Sequence, residues 1–245
     1  MIIRINNLCF SYNNNNLFKN LNLELKSSVR PLVLLGPSGS GKTTLLKLLA
    51  SLIKPDKGII EYSVEENIIK ETPRIGFMFQ ESRLLPWINI QDNIMLPLKK
   101  EFKGDEALKR TQYFLSMVKL DDKTHSYPDE ISGGQAQRVS MARAFAWPAP
   151  VLFMDEPFQS MDLSLKLYLM NTTLSFLEQE KRLLLLVSHD PREAVYLGSR
   201  ILILGKPDQG IIYDEYVNLS QEERNFYSLP AIELERKLVK VLEKL

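Results

Sequence analysis

Several shortages in this 245-residue chain each remove a class of function. A single cysteine, Cys9, leaves no internal disulfide to form, so a reducing cytoplasm is the expected compartment. The start, MIIRINNLCF, lacks a basic region followed by an apolar stretch and a small-residue cleavage site, so no secretory leader is expected there. Net charge is nearly absent: 31 Lys and Arg oppose 30 Asp and Glu, leaving +1. No global field then draws the chain to nucleic acid or to an anionic membrane, and a sequence-independent DNA binder is disfavoured. Long apolar runs are missing as well. The richest, Leu183 to Val187, is strand-sized, whereas a bilayer-crossing helix needs roughly 20 consecutive apolar residues. No linker or internal repeat divides the sequence. What is present is ordinary globular usage, 44% hydrophobic and 25% charged, which is enough to bury a sizeable core.

The coarse pattern is α/β. Ile3 and Ile5, then Leu21, Leu23 and Leu25, alternate apolar with polar as half-buried antiparallel strands do, and Asn13 to Asn16 between them reads as a hairpin turn. Pro31 opens LVLLG, a short run suited to a strand buried on both faces. Leu45, Leu46, Leu48, Leu49 and Leu52 then recur at helical spacing until Pro55-Asp56-Lys57-Gly58 supplies a turn. GIIEYSV and RIGFMFQ read as strands. From Gln91 to about Ala146 the period is helical, after which VLFMD and LLLLVSH restore the buried-strand pattern. Ile201 to Leu204 and Ile211 to Tyr213 form a final strand pair. The tail from Ala231 places Leu234, Leu238, Val241, Leu242 and Leu245 on one helix face, for packing on its own domain or on a partner.

Gly36-Pro37-Ser38-Gly39-Ser40-Gly41-Lys42-Thr43 matches G-x-x-x-x-G-K-[ST] between a predicted strand and a predicted helix. The glycines let successive N–H groups turn inward toward phosphate oxygens at a helix start. Lys42 supplies a charge for the β- and γ-phosphates, and the Thr43 hydroxyl a ligand for magnesium. Val151 to Met154 ends in Asp155-Glu156-Pro157, which puts two carboxylates where a parallel strand leaves its sheet. Asp155 would hold Mg2+ through its water shell, and Glu156 would polarise the attacking water as general base. Taken alone, such a pair is also a common acidic cap before a turn.

Ile131-Ser132-Gly133-Gly134-Gln135, with Gln137-Arg138 and Ala142-Arg143-Ala144, makes the chain resemble the ATP-binding subunits of ABC transporters over nearly its whole length. The family signature usually begins with Leu, so Ile131 is a mild departure. The resemblance implies a P-loop NTPase core of ABC ATPase type with an N-terminal antiparallel β subdomain and an inserted helical subdomain. Approximately, residues 1–80 and 151–245 form the nucleotide-binding core and 81–150 the helical subdomain. Ser132 and the two glycines offer a second N–H-rich helix start, and in the family it closes over the γ-phosphate held by the other subunit. Two ATP are thus sandwiched in a head-to-tail dimer. By the same resemblance Tyr12 stacks on adenine, although a strand aromatic facing the core is the other reading. Thr44 completes the phosphate loop. Gln80 reaches magnesium and the attacking water, Asp162 in Gln159-Ser160-Met161-Asp162 belongs to the loop crossing the dimer interface, and His189 contacts the γ-phosphate. The Gly-Glu pair common before the phosphate-loop strand is replaced by Ser27-Ser28-Val29-Arg30-Pro31.

Gln80-Glu81-Ser82-Arg83-Leu84-Leu85-Pro86-Trp87, Asp92-Asn93-Ile94 and Asp155-Glu156-Pro157-Phe158 are similar to the importer subfamily serving nitrate, taurine, sulfonates and pyrimidine precursors. Leu84 to Trp87 offer apolar anchors to a partner, or pack internally, or divide between the two. The resemblance implies a cytoplasmic motor, peripheral on the inner face of the membrane and fuelled by ATP with Mg2+. Its partners would be transmembrane permease subunits, a second copy or a related ATPase, and an extracytoplasmic solute-binding protein, with no nucleic acid. DNA-repair ATPases of similar motifs split them with long coiled coils, and no sustained heptads lie between Lys42 and Ser132. Translation-associated relatives carry two cassettes, and this chain carries one.

Overall fold

The computed structural model describes residues 1–245 except Asn14, Glu66 and Ser160. The alternating segments at the start become β1 (Ile2–Tyr12) and β2 (Asn15–Lys26), paired antiparallel with Ile3 opposite Leu25 and Ile5 opposite Leu23. The turn between them is tighter than the predicted Asn13 to Asn16. Asn15 already pairs with Tyr12, Asn13 takes the left-handed conformation that suits Asn (φ 49°), and Asn14 lies outside the described residues.

LVLLG yields β3 (Leu32–Leu35), followed by α1 (Lys42–Leu49). That helix is shorter than the leucine spacing predicts. Ser51 turns left-handed (φ 54°) just after it, and Leu52 ends exposed instead of joining the buried face. Lys57 and Gly58, read as part of a turn, already belong to β4 (Lys57–Val64), which pairs with β1 and with β5 (Asn67–Ile69) in a four-stranded sheet of order β2-β1-β4-β5.

β6 (Ile75–Met78) precedes the helical insert, α2 (Ile90–Leu98), α3 (Gly104–Met117) and α4 (Gly133–Ala146). Then come β7 (Val151–Asp155), α5 (Leu163–Glu180), β8 (Leu183–Val187), α6 (Pro191–Leu197), β9 (Arg200–Leu204), β10 (Ile211–Tyr216) and α7 (Leu229–Leu242). The second sheet runs β10-β9-β3-β8-β7-β6, parallel except for the antiparallel edge strand β10.

Its strands are apolar on both faces because each face has a cover. Leu32, Leu34, Val151, Phe153, Leu185 and Leu202 share one core with α1 and the antiparallel sheet. The alternate positions, among them Val33, Leu35, Leu152, Met154, Leu186 and Ile203, share the other core with α2 to α7. The tail packs on its own chain: Leu238 is fully buried, and Leu234, Val241, Leu242 and Leu245 lie against the second core. With β3 inside the sheet and β7 and β8 beside it, the loops after these three strands open at one sheet edge, where the chemistry-bearing residues gather. No helix among the described residues is long and apolar enough to cross a membrane.

Candidate active site

β3 ends at Leu35, and the chain must reverse within six residues to start α1 at Lys42. Two glycines allow it. A Cβ on Gly36 would lie 2.5 Å from the Leu204 carbonyl oxygen, and Gly41, the cap of α1, has φ 100° with Leu17 pressed against it. Nothing in the sequence marks Leu17, which reads there as one more strand residue. No acidic side chain occupies the first turn of α1, so its free N–H groups and helix dipole suit an anion. Lys42 Nζ donates to the carbonyls of Gly36 (2.8 Å) and Pro37 (2.9 Å), which curls the loop around it. Burial lowers the Lys42 pKa, with Glu156 and Asp155 pulling it back up. Ser40 Oγ is buried without a hydrogen-bond partner among the described residues. An orphaned buried hydroxyl, a buried ammonium and open N–H groups together fit a polyphosphate.

Thr43 Oγ1 donates to Asp155 Oδ2 at 2.6 Å, joining the two halves of the site. Asp155 is buried, and desolvation raises its pKa despite the Thr43 bond and the nearby Lys42 and Lys47. Because the folded-state pKa lies above the unfolded value, the stability this group contributes is present at low pH. It is lost as pH rises through the folded pKa, and at neutral pH the buried carboxylate is a standing cost. Asp155→Asn is therefore expected to raise the melting temperature of the ligand-free chain at neutral pH. Calorimetry checks it, and a lower melting temperature would refute it. Thr43, Asp155 and the Gln80 side chain are hard oxygen donors of the kind magnesium selects.

Glu156 sits in a left-handed conformation (φ 52°) that a non-glycine residue holds only when its surroundings fix it. Its N–H donates to the Val187 carbonyl (3.0 Å), and its own carbonyl accepts from Gln137 Nε2 (2.8 Å). Its carboxylate faces two predicted site residues, with Gln80 Nε2 at 3.4 Å and His189 Nδ1 at 3.5 Å from Oε2. In the sequence Gln137 is marked only as part of the signature region, and nothing local signals its reach from α4 to the Glu156 backbone.

Two adjoining clefts meet over the loop. One, of about 390 Å3, is lined by Tyr12, Leu17, Ser38, Gly39, Gly41, Lys42, Thr43, Thr44, Gln80 and Glu156. The other, of about 480 Å3, adds Gly36, Pro37, Gln159, His189 and Leu242 from α7. Tyr12 faces the cleft and is 49% exposed, edge-on to Phe10 at 4.8 Å, so it is not a core residue.

Ser132, Gly133, Gly134 and Gln135 do not line these clefts. They form the start of α4, where Ser132 Oγ accepts from the Gln135 N–H (3.3 Å) and Gln135 Oε1 from the Ser132 N–H (2.8 Å). Space is open above both glycines. Asp162 lies outside the clefts too, capping α5 through the Leu165 N–H (3.0 Å), and Ser160 of the same loop lies outside the described residues. The loop after Gln80 divides between the two readings of its apolar residues. Leu84 packs on the core, whereas Trp87 is 71% exposed. Buried Asn93 holds the loop, accepting from the Leu85 N–H (2.7 Å) and donating to the Leu85, Ile88 and Asn89 carbonyls.

Residues 18–159 match the family model described as ABC transporter. The chain is 38% identical over 228 residues to the aliphatic sulfonates import ATP-binding protein SsuB of Bacillus thuringiensis subsp. konkukian, covering 92% of this chain and 88% of that one. It is 31% identical to the sulfate/thiosulfate import ATP-binding protein CysA 1 of Shewanella oneidensis, over 92% of this chain and 66% of that one. The dimeric post-hydrolysis structure of the ATP-binding cassette MJ0796 bound to ADP and Pi superposes with a TM-score of 0.78 at 28% identity, over 89% of this chain and 100% of that one. Motif order, sheet topology and these matches converge, and the chain belongs to the ABC transporter family as one of its ATP-hydrolysing cassettes.

Proposed function

We propose that this cassette powers an importer for a small organic anion of the sulfonate type. It works as one half of a head-to-tail pair, with a second copy or a related ATPase, under permease subunits at the cytoplasmic face of the membrane. An extracytoplasmic binding protein delivers the cargo. The observation that carries the cargo class is the likeness to a sulfonates import subunit across 92% of the chain. The pairing is supported by the signature itself: Ser132 and Gly133 present an exposed, unobstructed helix start outside their own cleft, available to phosphates held by another chain. Residues 81–150 are assigned to the helical subdomain and the remainder to the nucleotide-binding core.

In this reading Tyr12 stacks on the base, and the Gly36 to Thr44 loop with Lys42 holds the phosphates. Thr43, Gln80 and Asp155 would hold Mg2+, which when bound supplies positive charge against the phosphate oxygens. Glu156 takes the proton of the attacking water on its carboxylate, while Gln80 and His189 beside the same oxygen orient that carboxylate and the water. Closure of the pair moves the Gln80 to Trp87 loop, and through it the permease.

The test is reconstitution with the membrane subunits and their binding protein. Hydrolysis is expected to rise when that protein carries an alkanesulfonate. Stimulation only by peptide or lipid cargo would overturn the cargo class, and stimulation by DNA or ribosomes the transport reading. Trp87 carries a second expectation. An exposed aromatic on a rigid loop is the residue type that dominates interfaces, worth about 2 kcal/mol or more when buried by a partner. Trp87→Ala is thus expected to weaken the affinity for the permease by about thirtyfold or more, read in a titrated pull-down with the tagged chain, and unchanged affinity would remove Trp87 from the docking surface.

A further inference from the structure

A chain of polar contacts joins the predicted interface loop to the His189 loop by a route outside the two clefts. Asp162 caps α5, and one turn later the Lys166 N–H closes on the Asp162 carbonyl at 2.9 Å. The Lys166 ammonium crosses to α6, 2.7 Å from Glu193 Oε1 and 3.7 Å from Asp190 Oδ2. Glu193 is buried, and its other oxygen accepts from Ser188 Oγ at 2.6 Å. Ser188 Oγ in turn accepts from the Asp190 N–H at 3.0 Å, and the Ser188 N–H donates to the Leu34 carbonyl at 3.2 Å. His189 is thus bracketed: the residue before it and the residue after it are both tied to one hydroxyl, and that hydroxyl to a buried carboxylate neutralised by Lys166. His189 itself is 60% exposed, 3.5 Å from Glu156, with no hydrogen bond of its own among the described residues. Its position is inherited from its neighbours.

We propose that Lys166 is a positioning residue: through Glu193 and Ser188 it sets the His189 backbone and transmits displacement of Asp162 to it. The assignment rests on the reading of His189 as a hydrolysis residue. A buried carboxylate whose cation is removed loses its geometry first, because an unpaired buried charge draws in water or a proton. Ser188 Oγ is then released, and His189 with it. Binding of ATP is left to the Gly36 to Thr44 loop, so the effect falls on turnover and not on affinity.

The experiment is steady-state ATP hydrolysis by the full chain carrying Lys166→Met, Lys166→Arg, His189→Ala, or Lys166→Met with His189→Ala. Lys166→Met is expected to lower kcat about tenfold, as small misplacements of a reacting constellation do, with KM for ATP held within about twofold. Lys166→Arg, which keeps the charge and the reach to Glu193, is expected to recover most of the loss. In the double variant the Lys166 change is expected to add nothing to the His189→Ala defect, since both act through one side chain. Unchanged kcat in Lys166→Met beside a crippled His189→Ala would overturn the relay alone, and so would losses that multiply in the double variant. Full turnover in His189→Ala would instead remove the reading on which the relay stands.

Discussion

Glu156→Gln is expected to lower ATP turnover by about 10²- to 10⁴-fold, the range a positioned general base contributes, while ATP binding persists. The substitution isolates proton transfer with little else disturbed. The backbone at Glu156 is held by the Val187 carbonyl and the Gln137 side chain, and neither contact involves the carboxylate. An amide of the same shape keeps the neighbourhood of Gln80 and His189 but takes no proton from water. If hydrolysis reopens the pair, the bound state accumulates, so size-exclusion chromatography with ATP is expected to show a persistent dimer that the parent chain passes through only briefly. Single-turnover kinetics separates the chemical step from binding. Wild-type turnover in this variant would take the base away from Glu156, and the neighbouring carboxylate, Asp155, is buried and already engaged by Thr43.

The phosphate-binding half of the site is legible in the sequence because it is contiguous. Gly36 to Thr44 acts through its own backbone, and the glycine positions required by the turn are the ones the pattern names. Asp155 and His189 are legible for another reason: Asp155 ends one wholly buried strand and His189 lies just beyond another, so an apolar run ending in a polar residue marks the sheet edge. Contacts that depend on how elements meet are not written locally. Gln137 reaching the Glu156 carbonyl requires α4 to pass the end of β7, and Leu242 at the rim of the second cleft requires the tail helix to fold back beside the His189 loop. Periodicity gives the helix face of the tail correctly but not which chain it covers. It also runs α1 on to Leu52, because leucine spacing carries no information about the left-handed turn at Ser51.

Arg224 has no sequence signal at all, and its removal is expected to be the most destabilising single change in the region behind the site. It is buried, yet no carboxylate among the described residues pairs with it. Nε donates to the Leu219 carbonyl (3.0 Å), Nη1 to Val195 (3.0 Å) and Gly198 (2.7 Å), and Nη2 to Val217 (3.0 Å). Desolvation, with Arg30 nearby, pulls its pKa down to about 10, so it remains charged at neutral pH. Two of its acceptors close the C-terminal end of α6, where carbonyls lack helical partners and a cation suits the dipole. The others belong to the chain leaving β10 toward α7. One guanidinium therefore pins the tail to the helix that starts just after His189. Arg224→Met keeps bulk and apolar stem but strands these carbonyls, at about 1–3 kcal/mol for each that water does not reach, for an expected loss of about 3–5 kcal/mol. In a chain of this size the melting temperature should fall by roughly 10 °C. Arg224→Lys is expected to recover only part, because an ammonium cannot span the fork of acceptors. Thermal and urea unfolding read the loss directly, and a fall of less than about 2 °C would show that the carbonyls find other partners. Since Asp190 caps α6 and Glu193 lies within it, the loosening reaches the His189 loop from behind, and ATP turnover should decline at temperatures well below the melting transition of the variant.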